Sequence, residues 1–360
     1  MKGLIFTISI FIALNSFSAE RVRSLRPKIS SKMTISGYCG KSTLTNFPVP
    51  VRISPENISG FSYEKCGGPS DISFSDMDGN ILPCEIEVWD TEGESIAWVA
   101  IPNLVSNTTF KMHWMHSVKP DYSNFTNLWT QAEYFGVWHM NSQYDPSAGK
   151  TIQENSTGGL NLKMNDFSFQ VVNGGKVGKE LTNGTYGEIL TLTLPEEHGL
   201  NKNALVFSGW SYWQGYTSSN SRNVLFAKLS STSYWELNVK NCKLGSKFAG
   251  NSPVYIGESY VNKDWFHWAI KVTNLTTFEY YVNGILTQTR SGIKNTYIST
   301  LAAIYFKAAG TLGHTDEIRI QNIAASDDWI KAEFDSINNT SFIVAEPAIC
   351  RPQGSILVFR

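Results

Sequence analysis

Apolar and polar residues alternate with a period of two along much of this chain. Val49, Val51 and Ile53 fall on one side of a segment whose other side is Pro50, Arg52 and Ser54. Leu82, Cys84, Ile86 and Val88 make a second row, with Glu85, Glu87 and Trp89 opposite. Successive side chains of a strand point to opposite faces, so this spacing predicts half-buried strands. Ser95 to Ile101 and Thr108 to Met115 read the same way. From Tyr134 onward the pattern breaks into many short strands, punctuated by Asn173-Gly174-Gly175, Asn183-Gly184 and Asn283-Gly284. Short strands divided by such signals predict a β-sandwich or jelly roll. The clearest hairpin runs from Thr277 to Thr287, where Asn283-Gly284 can adopt the positive φ angles of a two-residue type I′ turn. One helix is predicted, over Ser326 to Phe334. Ser326 suits its N-cap, and Asp327 and Asp328 suit the positive end of its dipole.

A chain of 360 residues exceeds what one core usually supports, which predicts two domains. The pattern places them at residues 40–118 and 134–345. A flexible leader (19–39), a polar connector (119–133) and a C-terminal tail (346–360) complete the division. At the start, Lys2 precedes an apolar run from Leu4 to Leu14 and then small residues, the order of a secretory signal peptide cleaved after Ser18. The run is shorter than the roughly 20 residues that span a bilayer. The expectation is therefore an exported chain, secreted or held in the cell envelope or periplasm, with no transmembrane segment after cleavage. A formal net charge of -1 with no basic stripe excludes the electrostatic footprint of a nucleic-acid binder. Charged residues at 17% against aromatics at 13% suit stacked sheets. Of the five cysteines, Cys39, Cys66 and Cys84 crowd into the first quarter, where a Cys66–Cys84 or Cys39–Cys66 bridge is an open option in an oxidising compartment. Cys242 and Cys350 complete the odd count, and no C-x-x-C occurs.

Asp71 to Trp89 reads D-I-S-F-S-D-M-D-G-N-I-L-P-C-E-I-E-V-W. It resembles the signature D-x-x-F-x-D-x-D-G-x-x-L-x-x-E-x-E-x-W of a bacterial domain family of unknown function found in exported, multidomain surface proteins. Phe47-Pro48-Val49-Pro50-Val51 and Trp98-Val99-Ala100-Ile101-Pro102 extend the likeness over residues 40–118. The second half resembles concanavalin A-like jelly rolls related to laminin G domains. The points of likeness are Val137-Trp138-His139-Met140, Trp268-Ala269, Tyr281-Val282-Asn283-Gly284 and Asp316-Glu317-Ile318-Arg319-Ile320. Together they imply an all-β protein, a small N-terminal β-sandwich domain followed by a concanavalin A-like (laminin G-like) jelly roll. They also imply recognition of a glycan or a surface protein, sometimes with calcium.

Several constellations bear on chemistry. Glu85 and Glu87, two apart on a strand, share a face as the carboxylate pairs of glycosidases do. Concanavalin A-like glucanases use E-x-D-x-E, but Trp89 stands in the third place here, and the pair lies outside the jelly roll. The plainer expectation is a sheet face with these glutamates paired to Arg52. Asp76-x-Asp78-Gly79 resembles the start of a calcium loop but lacks its later glutamate, so a hairpin tip explains it. Asp145, Asp316 and Glu317 are the calcium candidates of the jelly roll, as oxygen donors from distant loops. In Trp210-Ser211-Tyr212-Trp213-Gln214-Gly215-Tyr216, Trp210 is expected in the core, and Trp213 and Tyr216 are the candidates for stacking on a sugar ring. His139, beside Trp138, is read as a core or interface residue and is the third ligand-binding candidate. His113 and His116, three apart on a strand, should face opposite ways. The sequons at Asn57, Asn107, Asn124, Asn155 and Asn274 read as loop residues. Neither a G-x-S-x-G elbow nor a phosphate loop occurs. The chain thus reads as a non-enzymatic exported binding protein. The alternatives are a glycoside hydrolase or lyase using Glu85 and Glu87, or a structural module of an envelope or surface assembly.

Overall fold

The computed structural model describes residues 27–116, 128–143, 145–164, 169–183, 190–200, 204–212, 222–228, 234–240, 243–248, 254–256, 264–274, 276–291, 303–306 and 313–350. The protein is all-β, with one α-helix of twelve residues among the described residues. The first unit pairs two sheets. Leu44–Ile53, Ser95–Leu104 and Cys84–Val88 form one, with the long Ser95–Leu104 strand central. The other is built on Pro27–Ile35 and Thr108–His116, flanked by Ser73–Ser75. Phe47, Val49, Val51 and Trp98 from the first meet Met33, Phe74, Phe110 and Trp114 from the second in one core.

Two expectations about boundaries change. Pro27–Ile35 lies within the expected leader, yet it pairs along its length with Thr108–His116. Ile29, Ser31, Met33 and Ile35 share a face, and the last three are buried. The end of the expected jelly roll, Ile343–Ala345, and the start of the expected tail, Ile349–Cys350, also return to pair with that same strand. The chain therefore closes its first sheet with its last described residues.

The second unit is a sandwich of two eight-stranded sheets. In one, His314–Gln321 lies between Ala204–Tyr212 and two short strands, Tyr134–Trp138 and Lys179–Asn183. Leu192, Ile304 and Phe306 of the opposite sheet pack against its Phe207, Trp268, Ile270 and Tyr280. The outer face of that inner sheet is not solvated. Val206, Trp210, Ala269 and Tyr281 join the core of the first unit. A sheet covered on both faces needs no polar side, so Ala204–Tyr212, Trp265–Thr273 and His314–Gln321 are buried almost throughout.

The helix, Asp327–Asn338, is wedged where the units meet. The Ser326 side chain accepts the Trp329 N–H as its N-cap. Trp329 packs edge-on against Phe47 of the first unit (4.8 Å), while Phe334 stacks on Trp210 of the second (5.5 Å). The predicted hairpin is present, with Asn283 and Gly284 at φ 51 and 74 between Thr277–Val282 and Ile285–Arg290. Close approach of the units also fixes Gly178. Its φ is +64, and a Cβ there would lie 2.4 Å from Val88 Cγ2.

Several motif residues prove to be local supports. Asp71 is buried and accepts the N–H groups of Gly67, Met115 and His116. Asp76 accepts the backbone and side-chain amides of Asn80 at the tip where Gly79 has φ 96, a turn as expected. His113 and His116 do not oppose each other as a regular strand would place them. Met115 at φ 58 interrupts the alternation, and both imidazoles bond hydroxyls of one strand, His116 to Ser73 and His113 to Ser75. Cys39, Cys66, Cys84 and Cys350 are not joined by disulfides, so neither anticipated bridge is formed; Cys242 lies outside the described residues. Among the described residues no helix is long and apolar enough to cross a membrane.

Candidate functional site

Titratable groups gather at the seam between the two units. Glu85 and Glu87 come from Cys84–Val88, where the register against Ser95–Leu104 shifts between Ile86 and Val88. Such a bulge bends the strand locally. Glu85 accepts the Trp129 indole N–H (2.5 Å) and the Ser156 hydroxyl (2.8 Å), and Glu87 accepts the Trp98 indole N–H (2.7 Å). Arg52, the expected partner of this pair, instead bonds Glu94 at 2.5 Å. His139 follows directly on Tyr134–Trp138. Its Nδ1 lies 2.6 Å from Glu317 Oε1 and 3.4 Å from Glu87 Oε2, and its Nε2 lies 3.7 Å from Glu85 Oε1.

Glu317 reaches this position through a second irregularity. Opposite Ala204–Tyr212 the register jumps between the pairs Ser208–Arg319 and Trp210–Asp316, and Glu317 takes φ 50. Simple alternation would send one of Asp316 and Glu317 outward, but both are buried. Glu317 Oε2 accepts from Arg319 Nη2 (2.5 Å), and the guanidinium lies 4.5 Å over the Trp98 ring and 5.1 Å over Trp129. Beyond Arg319, Glu333 of the helix accepts the Ser208 hydroxyl (2.6 Å), with His267 at 3.6 Å.

Charge is unevenly shared across this network. Burial alone pushes the Glu87 carboxyl up, and the charges of Glu317 and Glu85 add to it. The His139 charge and the Trp98 bond oppose the rise, leaving it at about 8. Burial also raises Asp316, reinforced by the Glu317 charge. For Glu85, Glu317 and Glu333 burial acts the same way but loses to nearby donors. His139 holds Glu85 low, His139 with Arg319 holds Glu317 low, and His267 with Arg319 holds Glu333 low. His139 is lifted well above its ordinary value, because the Glu317 and Glu87 charges outweigh its burial.

The residues singled out from sequence are thus divided by the fold. His139, Glu317, Glu85 and Glu87 come together. Asp316 sits beside them but turns its carboxylate to the Val177 and Glu317 N–H groups. Asp145 does not join. It is at an exposed turn, where its carboxylate accepts from Ser147 and Ala148. Asp145, Asp316 and Glu317 therefore do not make the oxygen cage calcium needs, and the donor that does meet Glu317 is an imidazole. Trp213 and Tyr216 lie outside the described residues. Trp210 is buried as expected. Trp98, Trp129, Arg319 and Glu333 were not singled out as site residues. No periodicity marks them, since each meets the site only after the two units pack.

Beside this cluster a cleft of about 750 Å³ opens along the seam, bordered by Trp89, Arg52, Glu94, Asn141, Asn173 and Lys176. Glu87 also borders it, although its side chain is fully buried.

No protein-family model and no curated protein matches this sequence. Among solved structures, it is similar to the binding domain of botulinum neurotoxin DC in complex with SialylT (16% identity, TM-score 0.47, 58% of this chain and 52% of that one). It is also similar to the binding domain of Paraclostridial Mosquitocidal Protein 1 (15%, 0.47, 57% and 53%). A third is a Trypanosoma rangeli sialidase complex (11%, 0.44, 57% and 32%). The chain spans about half the length of the two binding domains. At this distance nothing about function is transferred, and the all-β class rests on the strands of the chain itself.

Proposed function

We propose that this chain is an exported, non-enzymatic binding protein that recognises a glycan in the cleft along the seam. The chemistry of that cleft carries the reading. Its volume falls within the roughly 300–1,000 Å³ of small-ligand sites. Arg52, Lys176 and Glu94 supply charged donors and acceptors, and Asn141 and Asn173 supply amides able to both donate and accept. Half-buried Trp89, held edge-on against Tyr63, offers an indole to the apolar face of a sugar ring. Glu85 is not among the residues that line the cleft, and the Glu87 side chain is sealed from it. The signature over 40–118 and the laminin G-like resemblance of 134–345 fit the same surface-recognition role.

A glycan array probed with the full exported chain tests this. The expected result is binding to a defined set of glycans that Trp89→Ala weakens by up to about tenfold, the loss of one good aromatic contact. An array with no bound glycan would overturn it and direct the search to a protein partner. One observation favours a second reading as a hydrolase or lyase. Glu85 stays ionised while Glu87 holds its proton to about 8, the divergence that separates a base from an acid. Polysaccharide cleavage abolished by Glu85→Gln with Glu87→Gln would establish that reading.

A further inference from the structure

We propose that Glu87, His139 and Glu317 are the ligands of one divalent transition-metal ion, of the zinc or manganese class, which clamps the two β units together. Glu87 and Glu317 lie on strands of the two units and His139 directly follows a third strand, and their ligand atoms lie within 4.8 Å of one another. His139 Nδ1 stands 2.6 Å from Glu317 Oε1 and 3.4 Å from Glu87 Oε2. Around an ion with bonds of about 2.0–2.2 Å, neighbouring ligand atoms are separated by roughly 3 Å, so such an ion fits with only small side-chain movements.

Two buried atoms in the cluster have no hydrogen-bond partner, Glu87 Oε1 and His139 Nε2. Both are explained by a metal. Glu87 Oε1 becomes a second coordinating oxygen. His139 bound through Nδ1 presents its Nε2–H toward Glu85 Oε1 at 3.7 Å, the carboxylate that commonly orients a metal-bound imidazole. The ligating carboxylates are themselves held, Glu87 by the Trp98 indole and Glu317 by Arg319. Four buried carboxylates, those of Glu87, Asp316, Glu317 and Glu333, share this interior, with partly exposed Glu85 beside them and Arg319 as the one permanently charged cation among the contacts described. A divalent ion bound here would compensate these carboxylates in the ionised form that binds metal. An imidazole with two carboxylates suits zinc or manganese, whereas calcium takes six to eight oxygens. Closure from solvent marks the site as structural. The Glu87 and Glu317 side chains are 0% exposed and His139 4%.

The test uses the full chain, first measured for bound metal by elemental analysis, then stripped with chelator and titrated with zinc, manganese or calcium. The expected result is one zinc or manganese per chain, and a melting temperature that rises by ~5 °C when that metal is restored at a hundredfold excess over its dissociation constant. Glu87→Gln keeps an oxygen for the Trp98 indole but should weaken metal binding by at least about a hundredfold. Glu85→Gln should weaken it by about 10–100-fold through the imidazole it orients. Glu92→Gln, exposed and outside both the cleft and the cluster, should bind as the parent chain does. Circular dichroism establishes that each variant is folded. A parent chain whose melting ignores zinc and manganese overturns the proposal, as does binding of calcium alone. So does a folded Glu87→Gln chain that keeps the parent's affinity.

Discussion

Replacing Arg319 by alanine should destabilise the protein by about 3–5 kcal/mol, the range for removing one partner of a buried ion pair. The Arg319 side chain is 2% exposed, donates to Glu317 Oε2 at 2.5 Å and lies 3.8 Å from Glu333 Oε1. Its loss strands two carboxylates that are 0% and 3% exposed. It also removes cation–π contacts with Trp98 and Trp129, each of the order of 1 kcal/mol. These contributions overlap and are not summed. At roughly 2–4 °C per kcal/mol the melting temperature should fall by about 6–20 °C. Urea unfolding followed by tryptophan fluorescence measures it, since Trp98 and Trp129 flank the mutated side chain. Lys32→Ala provides the contrast. The Lys32–Glu346 pair is 37% and 50% exposed, so solvent screening should hold its loss to about 1 kcal/mol or less. If Arg319→Met, which keeps the volume but not the charge, unfolds within about 1 kcal/mol of the parent chain, charge compensation is not what Arg319 provides.

Three further outcomes follow from the geometry. Glu333 has its folded pKa depressed, so its contribution is fully present above the unfolded value of about 4.3 and is lost as pH falls through the lower folded value. Glu333→Gln should therefore be less stable than the parent near pH 7, with the gap narrowing below about pH 4, as read from urea midpoints between pH 3 and 7. Burial, with the Glu85 charge, pushes the Cys84 thiol up to about 12. Iodoacetamide at pH 8 should thus label exposed Cys39 and Cys350 and spare Cys84 in the folded chain; mass spectrometry showing Cys84 labelled as fast as Cys39 would refute this. Gly178→Ala puts a Cβ on a left-handed residue 2.4 Å from Val88 Cγ2, and should cost about 1–3 kcal/mol and loosen the seam, visible as faster hydrogen exchange in Cys84–Val88.

How much of the protein the chain announces depends on how far each signal reaches. The Asn283-Gly284 hairpin, the capped helix and the turn at Asp76 were legible because each is decided by neighbours within a few residues. The alternation of Leu44–Ile53 was legible in the residues themselves, although the strand is buried on both faces from Phe47 to Val51. The alternation in Pro27–Ile35 was present but weak. Ser31 fills an apolar position there, and the partner strand lies some eighty residues away. Glu85 and Glu87 stood out as a pair, yet sequence could not show that Trp129 and Trp98 would claim them.

By itself, then, the sequence determined the all-β character, the short-range turns and caps, and the identity of residues able to carry charge or bind metal. Tertiary structure alone decided which of them meet. His139 and Glu317 are 178 residues apart, and they touch because a bulge at φ 50 turns Glu317 inward where Tyr134–Trp138 and His314–Gln321 pair. Glu87 joins them only because Val206, Trp210, Ala269 and Tyr281 give the inner sheet a second apolar face, which packs on the first unit. Local preferences fix what each segment can be. The burial of a second sheet face, a cooperative outcome of the whole chain, fixes which charges share one interior.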